Sequence, residues 1–332
     1  MSLYLKKTNM KILITGAAGF IGANLCEFML EKGFKVIGLD NFSTGFKENL
    51  NSFLNHPNFK FIEGDIRSIN TLLKVTKGVD YILHQAALGS VPRSIKDPLT
   101  SNEVNINGFL NVLEAARINK VKRTVYAASS STYGDSTLLP KTEDIIGKPL
   151  SPYAVTKYVN ELYADVFAKT YSMELIGLRY FNVFGRRQTP NGAYAAVIPK
   201  FIGQFLKGES PVINGDGKYS RDFTYIDNVL QMNHLAMTAK NPDAINQVYN
   251  TAVGDQISIR EMAEAIKKGL TIFQKEVDRI PILYGPKRLG DIPHSMADIG
   301  KAKKLLNYNP THSFKEGLEA SLEWYFNKFN VV

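Results

Sequence analysis

A glycine-rich turn between a mostly apolar segment and a helical segment is the feature that most restricts how this chain can fold. Lys11–Thr15 is typical of a buried parallel strand, and Phe20–Glu31 has the periodicity of a helix. Gly16, Gly19 and Gly22 lie between and within them. In a strand–turn–helix unit such glycines allow a tight turn, close approach of a pyrophosphate and close helix–strand packing. The free N–H groups at the helix start also favour phosphate, so we expect a dinucleotide site here.

The next predicted strand ends in a carboxylate that favours NAD over NADP. Lys35–Leu39 is apolar, and Asp40 follows it. An acidic side chain at this point suits the ribose hydroxyls of a dinucleotide and would repel the 2′-phosphate of NADP. The alternative is that Asp40 only caps the turn after the strand. The glycine turn favours the first interpretation.

Further strands alternate with helices along the first half of the chain. We predict strands over Phe59–Ile62, Tyr81–His84, Val121–Ala128 and Glu174–Leu178, and a helix over Ser101–Asn119. This alternation predicts an α/β fold with a doubly wound, parallel sheet of the Rossmann type. In such sheets ligands bind at the carboxyl ends of the strands.

Polar or small residues follow these predicted strands, at the edge where a ligand would bind. Asp65 could hydrogen-bond an adenine amino group, and the alanines after Gln85 would let the backbone approach a cofactor. The serines at 129–131 suit either a substrate hydroxyl or keto oxygen, or the turn itself. Asn182 follows a later strand and is a candidate ligand of phosphate or sugar.

A tyrosine and a lysine four residues apart form the second chemical feature of the sequence. Ser151 and Pro152 favour a helix start, and that helix would place Tyr153 and Lys157 on one face. The charge of Lys157 would lower the pKa of the tyrosine, which could then take a proton from an alcohol and return it. Alone, the pair is typical of any amphipathic helix, and its significance depends on the dinucleotide site.

The pattern changes after Gly185, where loops and shorter elements replace the regular alternation. We predict helices over Ala193–Leu206, Ser258–Leu270, Asp298–Leu306 and Phe314–Phe326, and a short strand over Val212–Asn214. Trp324, in the last helix, is predicted to be a core residue. We expect a Rossmann domain of residues 1–184 with about 222–250, and a smaller C-terminal α/β substrate domain of residues 185–221 and 251–332.

The composition is that of an ordinary globular protein, with 44% hydrophobic and 21% charged residues. The net charge of +9 comes from dispersed basic residues, so we expect attraction for an anionic small molecule and no nucleic-acid partner. We expect no membrane partner and a cytoplasmic location, because no apolar stretch is of transmembrane or signal-peptide type. The five histidines show no metal-ligand spacing, so no metal is predicted. Cys26 is interpreted as a packed thiol.

Together these motifs resemble the extended short-chain dehydrogenase/reductase family, and within it the NAD-dependent sugar-nucleotide 4-epimerases. The resemblance extends from about Lys11 to Phe326 and rests on the segments Thr15–Gly22, Ser129–Ser131, Tyr153-x-x-x-Lys157, Arg179–Asn182, Arg221-Asp222 and Arg288-x-x-Asp291. Gly89–Ser94 and Ser151–Lys157 are similar to segments of the bacterial UDP-N-acetylglucosamine 4-epimerases of surface-polysaccharide pathways. Related 4,6-dehydratases carry Thr-Asp-Glu or a close variant where this chain has three serines, which argues against dehydration.

The resemblance implies a mechanism. Tyr153, as phenolate, would take the proton of the sugar 4-hydroxyl while hydride passes from C4 to NAD. Lys157 would hold the nicotinamide ribose and, with the positive charge of the cofactor, lower the pKa of Tyr153. One of Ser129, Ser130 and Ser131 would hydrogen-bond the reacting oxygen; Ser129 stands where the acting residue usually does, and the choice among the three stays open. The 4-keto sugar would then turn about its pyrophosphate and receive hydride on its other face.

The resemblance also implies two sets of binding residues. NAD would be bound by Gly16, Gly19, Phe20, Ile21, Gly22, Asp40, Asn41, Ser43, Thr44, Gly45, Asp65, Ile66, Gln85, Ala86, Ala87, Asn105, Tyr153, Lys157, Tyr180 and Val183. The UDP-sugar would be bound by Gly89, Ser90, Ser129, Ser130, Asn182, Ala196, Val197, Asn214, Arg221, Arg288, Asp291 and Ser295. NAD is expected to stay bound, because each catalytic cycle regenerates it.

The substrate implied by the resemblance depends on one position. Ser295 aligns with a position that is bulky in relatives restricted to non-acetylated sugars, so UDP-GlcNAc and UDP-GalNAc are the expected pair. One alternative is a 4-epimerase acting on UDP-Glc and UDP-Gal or on UDP-(N-acetyl)hexuronic acids. Another is a non-catalytic NAD-binding regulator, which would be expected to have lost the tyrosine, the lysine or the serines. A homodimer is also implied, through the helices Ser101–Asn119 and Tyr153–Tyr171.

Overall fold

The protein is described by a computed structural model that covers residues 9–191, 195–287 and 292–330. Within these ranges the strands are β1 (Lys11–Thr15), β2 (Lys35–Asp40), β3 (Phe59–Glu63), β4 (Tyr81–His84), β5 (Arg123–Ser129), β6 (Glu174–Tyr180), β7 (Val183–Phe184), β8 (Val212–Asn214), β9 (Ser220–Arg221), β10 (Thr224–Tyr225), β11 (Val248–Thr251), β12 (Ile257–Ser258), β13 (Leu283–Gly285) and β14 (His294–Ser295). The helices are α1 (Phe20–Glu31), α2 (Ile69–Val75), α3 (Val91–Lys96), α4 (Pro98–Asn102), α5 (Gly108–Ile118), α6 (Pro152–Tyr171), α7 (Val197–Leu206), α8 (Ile226–Thr238), α9 (Ile259–Leu270), α10 (Gly300–Leu306) and α11 (Phe314–Asn330). No helix in these ranges is long and apolar enough to span a membrane.

The centre of the fold is a seven-stranded sheet in the order β11-β6-β5-β4-β1-β2-β3, in which neighbouring strands are parallel. The chain order reverses between β1 and β4, where Thr15 pairs with His84. At such a reversal the loops after the strands diverge and leave a crevice for a ligand. The α/β fold class predicted from the sequence is therefore confirmed.

Apolar side chains cover both faces of this sheet. On one face a continuous core runs from β1 and α1 through α8 to the C-terminal helices, and it includes Ile12, Cys26 and Tyr325, each fully buried. On the other face α2 and α5 pack on the sheet through residues such as Leu72 and Val112. The packed thiol predicted for Cys26 is confirmed, and burial raises its pKa.

Three predicted features of the N-terminal half differ from the structure by two residues or more: one helix and two strands, of which β6 ends at Tyr180 and not at Leu178. The helix predicted over Ser101–Asn119 is divided into α4, a π-helical segment (Glu103–Asn107) and α5. Hydrophobic periodicity cannot reveal such a local change of helix type. The strand predicted over Val121–Ala128 begins later, at Arg123, and ends at Ser129.

The C-terminal part shows further differences. The helix predicted over Ala193–Leu206 is α7 and begins at Val197, while Ala193 lies outside the described residues. Trp324 is partly buried and packs against the main core, although it is not one of the fully buried residues that form it. Its neighbour Tyr325 is the fully buried residue, and the two rings meet edge-on with centroids 4.9 Å apart.

Candidate functional site

A cleft of about 330 Å³ opens at the carboxyl ends of β1 to β4, where the strand order reverses. We call it the dinucleotide cleft. Residues predicted to bind NAD supply most of its wall: Gly16, Gly19, Phe20, Ile21, Gly22, Asp40, Asn41, Ser43, Thr44, Asp65, Ile66, Gln85, Ala86 and Ala87. The wall also contains Gly89 and Ser90 from the predicted substrate side, and Arg93, which the sequence analysis missed. The remaining predicted NAD residues lie outside this wall: Gly45, Asn105, Tyr153, Lys157, Tyr180 and Val183.

The glycine turn excludes side chains at two positions. Gly16 has a φ of 70°, and a Cβ on it would lie 2.8 Å from the backbone nitrogen of Ala86. A Cβ on Gly22 would overlap the carbonyl oxygen of Gly16. Gly19 is the N-cap of α1 and lines the cleft, so this helix begins at the cleft wall. A wall of bare backbone beside a helix N-terminus fits the pyrophosphate of a dinucleotide.

Asp40 fixes the geometry of the same wall. Its carboxylate accepts hydrogen bonds from the backbone N–H groups of Ala18 (2.9 Å) and Phe42 (2.7 Å). Burial raises the pKa of Asp40, and these backbone hydrogen bonds oppose the rise because they stabilise the charged form. Asp40 therefore joins the glycine turn to the end of β2 at the edge of the cleft, where a ribose hydroxyl would be bound.

Asp65 is the second acidic residue of the cleft. Its carboxylate accepts hydrogen bonds from Asn41 Nδ2 (2.8 Å) and from the guanidinium of Arg67 (2.7 Å). The hydrogen bond from Arg67 lowers the pKa of Asp65 to about 2. Asp65 is therefore ionised at neutral pH and remains a hydrogen-bond acceptor. Arg67 was not predicted from the sequence, although it lies two residues after Asp65.

A buried pair behind the cleft joins β1 to β4. The Thr15 hydroxyl oxygen lies 2.7 Å from His84 Nδ1 and accepts the backbone N–H groups of Gln85 and Ala86, each at 3.2 Å. Because Thr15 accepts twice, its own proton goes to His84 Nδ1, which places the imidazole proton on Nε2. Burial, together with the charge of Lys157, lowers the pKa of His84 to about 3. The ring is therefore neutral, and it holds the backbone that forms the cleft wall.

A hydrogen-bonded triangle orients Gln85. Tyr180 Oη donates to Gln85 Oε1 (3.1 Å) and accepts from Asn233 Nδ2 (2.8 Å), while Gln85 Nε2 donates to Asn233 Oδ1 (3.3 Å). Burial raises the pKa of Tyr180 to about 12, so the phenol stays neutral. Tyr180 thus supports a cleft residue. Asn233, on α8, was not found from the sequence, because nothing local connects it to the cleft.

Asn105 supports the loop that follows β4. Its Oδ1 accepts from the backbone N–H of Leu88 (2.8 Å), and its Nδ2 donates to the carbonyl oxygen of Leu88 (3.2 Å) and to Thr156 Oγ1 (3.1 Å). The side chain is buried in the π-helical segment. The structure therefore places Asn105 behind the cleft wall, holding a loop that lines the cleft.

Tyr153 lies in the first turn of α6, which Ser151 caps by accepting the backbone N–H of Ala154 (3.1 Å). The Tyr153 backbone N–H donates to Ser94 Oγ (3.0 Å). Burial raises the pKa of Tyr153, and a hydrogen bond with Ser129 opposes the rise. The lowering of the Tyr153 pKa that we predicted from Lys157 is thus wrong for the chain by itself, because desolvation of the phenolate raises this pKa.

Lys157 lies one turn further along α6 and is buried. Its Nζ donates to the carbonyl oxygen of Ala127 (2.8 Å). Burial lowers the pKa of Lys157 to about 8, with Glu161 opposing the shift. Glu161 in turn accepts two hydrogen bonds from Arg179, at 2.9 and 2.7 Å. Lys157 therefore keeps its positive charge at neutral pH. The ion pair between Glu161 and Arg179 holds α6, which also carries Lys157, against β6.

The three serines differ in their contacts. Ser129 ends β5, whereas Ser130 and Ser131 lie in the 3-10 turn that follows. Ser129 Oγ accepts the backbone N–H (3.1 Å) and the hydroxyl (2.8 Å) of Ser131. Because Ser129 already accepts twice, its own proton is available for the oxygen of Tyr153, to which it is hydrogen-bonded. The structure thus contains a chain of hydroxyls from Ser131 through Ser129 to Tyr153.

Three residues predicted on the substrate side lie together around a small sheet. β9 pairs with β12 and β14 in this three-stranded sheet, and Arg221 is the register partner of Ser295. The Arg221 guanidinium donates to the carbonyl oxygens of Ser220 (2.8 Å) and Pro293 (3.1 Å). Asn182 is joined to the same sheet by a hydrogen bond from its Nδ2 to the backbone oxygen of Asp222 (2.9 Å).

Other predicted site residues lie on separate elements. Ala196 and Val197 form the start of α7, Asn214 ends β8, and Val183 begins β7. Gly45 packs on the glycine turn, because a Cβ on it would lie 2.8 Å from the carbonyl carbon of Ala18. Arg288 and Asp291 lie outside the described residues. In the part of the chain that the structure describes, no group of three or more His, Cys, Asp or Glu side chains could hold a metal ion.

The chain is similar to known proteins over most of its length. Residues 12–252 match the family described as NAD dependent epimerase/dehydratase. A protein of Methanocaldococcus jannaschii named putative UDP-glucose 4-epimerase is 36% identical over 95% of this chain and 98% of its own length.

Two solved structures resemble the whole chain. One is a UDP-N-acetylglucosamine 4-epimerase from Methanobrevibacter ruminantium in complex with UDP-N-acetylmuramic acid, with 38% identity, a TM-score of 0.90 and coverage of 97% of this chain and 99% of that one. The other is a UDP-glucuronic acid 4-epimerase from Bacillus cereus in complex with UDP-glucuronic acid and NAD, with 33% identity, a TM-score of 0.86 and coverage of 96% and 100%. The similarity therefore includes both the sheet and the C-terminal elements.

Proposed function

The chain belongs to the NAD dependent epimerase/dehydratase family, and we propose that within it the protein is a 4-epimerase that interconverts UDP-GlcNAc and UDP-GalNAc. The observation that carries the proposal is the chain of hydroxyls from Ser131 through Ser129 to Tyr153, with Lys157 one turn along α6. Ser129 ends β5, which pairs with β4, and the loop after β4 lines the dinucleotide cleft. A 4-epimerase needs an acid/base group and a bound NAD side by side. The acid/base group moves the proton of the 4-hydroxyl, and NAD takes the hydride from C4, the carbon that bears this hydroxyl.

The residues of the cleft fit NAD. Gly16 and Gly22 keep the backbone open to a pyrophosphate, and Asp40 would hold the hydroxyls of the adenosine ribose. Lys157, outside the cleft wall, is proposed to hold the nicotinamide ribose. When bound, NAD supplies an acceptor and donor of hydride for C4 of the sugar. The buried triangle around Gln85 and the Thr15 hydroxyl keep the remaining wall in place.

We assign proton transfer to Tyr153. Its Oη would take the proton of the sugar 4-hydroxyl and return it when the new configuration at C4 is formed. The Ser129 hydroxyl donates to this oxygen, which favours phenolate. Lys157, with a pKa of about 8, supplies a positive charge at neutral pH. The hydrogen bond from Ser129 opposes the desolvation that raises the pKa of Tyr153, and the positive charge of bound NAD would lower that pKa further.

Inversion at C4 also requires that the sugar present both faces while the UDP stays anchored. We assign the anchoring to Asn182 and Arg221, together with Ala196, Val197 and Asn214, and with Arg288 and Asp291 beyond the described residues. Arg221 and Asn182 are supported by their common attachment to the small sheet. A guanidinium suits a pyrophosphate because it donates two parallel hydrogen bonds.

The choice of sugar rests on Ser295. It is a small residue in β14, directly beside Arg221 in the register of the small sheet. A small side chain there leaves space for an N-acetyl group next to the anchored diphosphate. The relative named for UDP-N-acetylglucosamine supports this choice, whereas the relative named for UDP-glucuronic acid supports a hexuronic acid as the second candidate.

We also propose a homodimer and a cytoplasmic location. On α6, Val155, Leu162 and Val166 are 46%, 49% and 54% exposed, which is unusual for three apolar residues of one helix. A second copy of the chain would cover them. The proposed division into a Rossmann domain (1–184 with about 222–250) and a substrate domain (185–221 and 251–332) is supported by β11, which joins the large sheet, and by β9, β12 and β14, which form their own sheet.

The test is conversion without added cofactor. The purified protein is incubated with UDP-GalNAc and no NAD, and the product sugar is followed by chromatography. We expect UDP-GlcNAc to form, because the protein retains its NAD. Parallel reactions with UDP-Gal and with the two UDP-hexuronic acids rank the substrates. Failure to convert any of them, even with NAD added, would contradict the 4-epimerase assignment and favour the regulator.

A further inference from the structure

Asp222 is a fully buried carboxylate that binds three separate backbone positions. Its side-chain oxygens accept the N–H groups of Val253 (3.1 Å), Gly254 (3.0 Å) and Ala297 (3.3 Å). Val253 and Gly254 follow β11, whereas Ala297 follows β14. Aspartate is rarely buried unless it is well paired, and hydrogen bonds to an ionised acceptor are stronger than neutral ones. The carboxylate therefore fixes two loops relative to each other.

The backbone of Asp222 extends this network to the predicted substrate residues. Its N–H donates to the carbonyl oxygen of Ser295 (2.8 Å), and its carbonyl oxygen accepts Asn182 Nδ2 (2.9 Å). Arg221, the preceding residue, is the register partner of Ser295. One residue thus contacts or adjoins three of the predicted substrate residues, Arg221, Asn182 and Ser295.

The conformation of Asn182 depends on its contacts with the segment that contains Asp222. It has a φ of 33°, a left-handed value that residues with a side chain seldom adopt, although asparagine tolerates it better than most. Its hydrogen bond to the backbone of Asp222 holds the side chain in place, and Thr224 N donates back to its carbonyl oxygen (3.3 Å). The orientation of Asn182 therefore depends on the position of Asp222.

We infer that Asp222 is a positioning residue that couples the diphosphate anchors Arg221 and Asn182 to the sugar-side residue Ser295. The inference rests on the proposed function. Because the same carboxylate holds the loop after β14 and the loop after β11, a shift of Asp222 would move the anchors and Ser295 together. Substrate affinity and the preference for an N-acetyl group are then set jointly. An aspartate that only stabilises the fold would affect neither once the protein is folded.

The substitution Asp222→Asn tests the coupling. It keeps the shape of the side chain and replaces one acceptor oxygen by a donor that faces backbone N–H groups. We expect the KM for UDP-GalNAc to rise about tenfold with kcat changed by less than about threefold, the pattern of lost binding without lost chemistry. We also expect the preference for UDP-GalNAc over UDP-Gal to fall by about threefold or more.

The matched control is Asp216→Asn. Asp216 lies in the turn before β9, is exposed, and accepts the backbone N–H of Lys218 (3.1 Å). This variant should keep the wild-type KM and preference. If Asp222→Asn lowers the melting temperature but leaves KM and sugar preference at the values of the control, Asp222 has only a structural role and the inference is overturned.

A measurement on the unchanged protein covers the case in which Asp222→Asn does not fold. Hydrogen exchange is followed with and without UDP as the probe. We expect UDP to slow exchange in peptides that contain Val253–Gly254 and Ala297, because Asp222 links these amides to the diphosphate anchors. Unchanged exchange with UDP bound would overturn the inference and leave the proposed function intact. If UDP does not bind and no UDP-sugar is converted, the proposed function and the inference both fail.

Discussion

The dinucleotide cleft and the substrate side of this protein are built in different ways. The cleft is made by loops that follow adjacent strands of one sheet, and its glycine turn and Asp40 lie within a single strand–helix–strand unit. The predicted substrate residues Arg221 and Ser295 lie in a small sheet of β9, β12 and β14, whose strands are distant in the chain, and Asp222 links the loops after β11 and β14. The first region is specified by local backbone geometry, and the second by long-range hydrogen bonds.

The difference has a consequence for substitutions. In the glycine turn, a side chain at Gly16 or Gly22 acts at once through steric overlap, because the neighbouring backbone cannot move away. On the substrate side, a change acts through the relative position of several loops, so its effect on binding is graded. We therefore expect large effects in the cleft and the proton-transfer group, and smaller effects on sugar preference.

The largest effect is expected at Tyr153, in the first turn of α6. Tyr153→Phe removes the proposed proton acceptor and should lower kcat by about a thousandfold while NAD and UDP binding persist. Tyr158→Phe, on the same helix, is the matched control and should retain activity. A Tyr153→Phe variant with near wild-type turnover would contradict the assignment of the proton acceptor.

A smaller but still large effect is expected from Gly22→Ala. The added methyl group would overlap the Gly16 carbonyl oxygen, so the turn must open. We expect the purified variant to carry at least about tenfold less NAD, measured by release of the cofactor on denaturation, and to lose about 1–3 kcal/mol of stability. For comparison, a Cβ on Gly89 meets no atom within 4 Å, so Gly89→Ala should keep its NAD. Equal NAD content in both variants would show that the turn is not the pyrophosphate site.

The serine series tests the chain of hydroxyls. Ser129→Ala should lower kcat by about tenfold to a hundredfold, because Ser129 donates to the oxygen of Tyr153. Ser131→Ala removes the donor to Ser129 (2.8 Å) and should have a smaller effect. Ser130→Ala should have the smallest effect of the three. A different ranking in steady-state kinetics would move the acting hydroxyl to another serine.

Ser295→Tyr tests the substrate side. A bulky residue in β14 should reduce kcat/KM for UDP-GalNAc relative to UDP-Gal by about tenfold, while NAD content stays unchanged. A single position in a pocket changes substrate preference only modestly. A large fall in kcat/KM for both UDP-GalNAc and UDP-Gal would therefore indicate that the substitution disturbs the fold. An unchanged ratio would remove the basis for choosing N-acetylated sugars.

The last prediction concerns the stability of the fold, through His84 and pH. Its pKa is about 3 in the folded protein and 6.5 in its ordinary state. Between these values the unfolded chain binds a proton that the folded chain does not, so stability falls as pH decreases from 6.5 towards 3, by about 1.4 kcal/mol per pH unit from this group.

Denaturant unfolding at pH 7, 6 and 5 measures this dependence. His84→Leu has no titrating group at this position, so its stability should fall less steeply with decreasing pH than that of the wild type. If stability falls equally steeply with pH in both proteins, His84 binds its proton as readily in the folded chain as in the unfolded chain. That result would contradict its buried, neutral state beside Thr15.

The sequence was sufficient to predict the fold and much of the cleft wall, because these depend on local patterns. β1, α1 and β4 have the predicted bounds, and Gly16 and Asp40 lie on the cleft wall as expected. The sequence could not show that Asn105 lies in a π-helical segment behind the wall, since periodicity reports a helical face but not a change of helix type.

Effects that depend on burial were the least predictable. The pKa of Tyr153 was expected to fall because a lysine stands four residues away, but burial raises it, and desolvation is a property of the folded surroundings. Asp222 and Asn233 were not found as supporting residues, because their partners are distant in the chain. Sequence motifs thus identify groups that act through local geometry and miss those that hold other groups in place.

The most direct test of the proposed chemistry is the fate of the hydrogen on C4. UDP-GalNAc with deuterium at C4 is converted in ordinary water, and the product is examined by mass spectrometry and NMR. A 4-epimerase that returns the same hydride to the opposite face should give UDP-GlcNAc with deuterium retained at C4. Loss of the label to solvent would contradict hydride return and with it the proposed mechanism. So would the appearance of deuterium at C4 when unlabelled UDP-GalNAc is converted in heavy water.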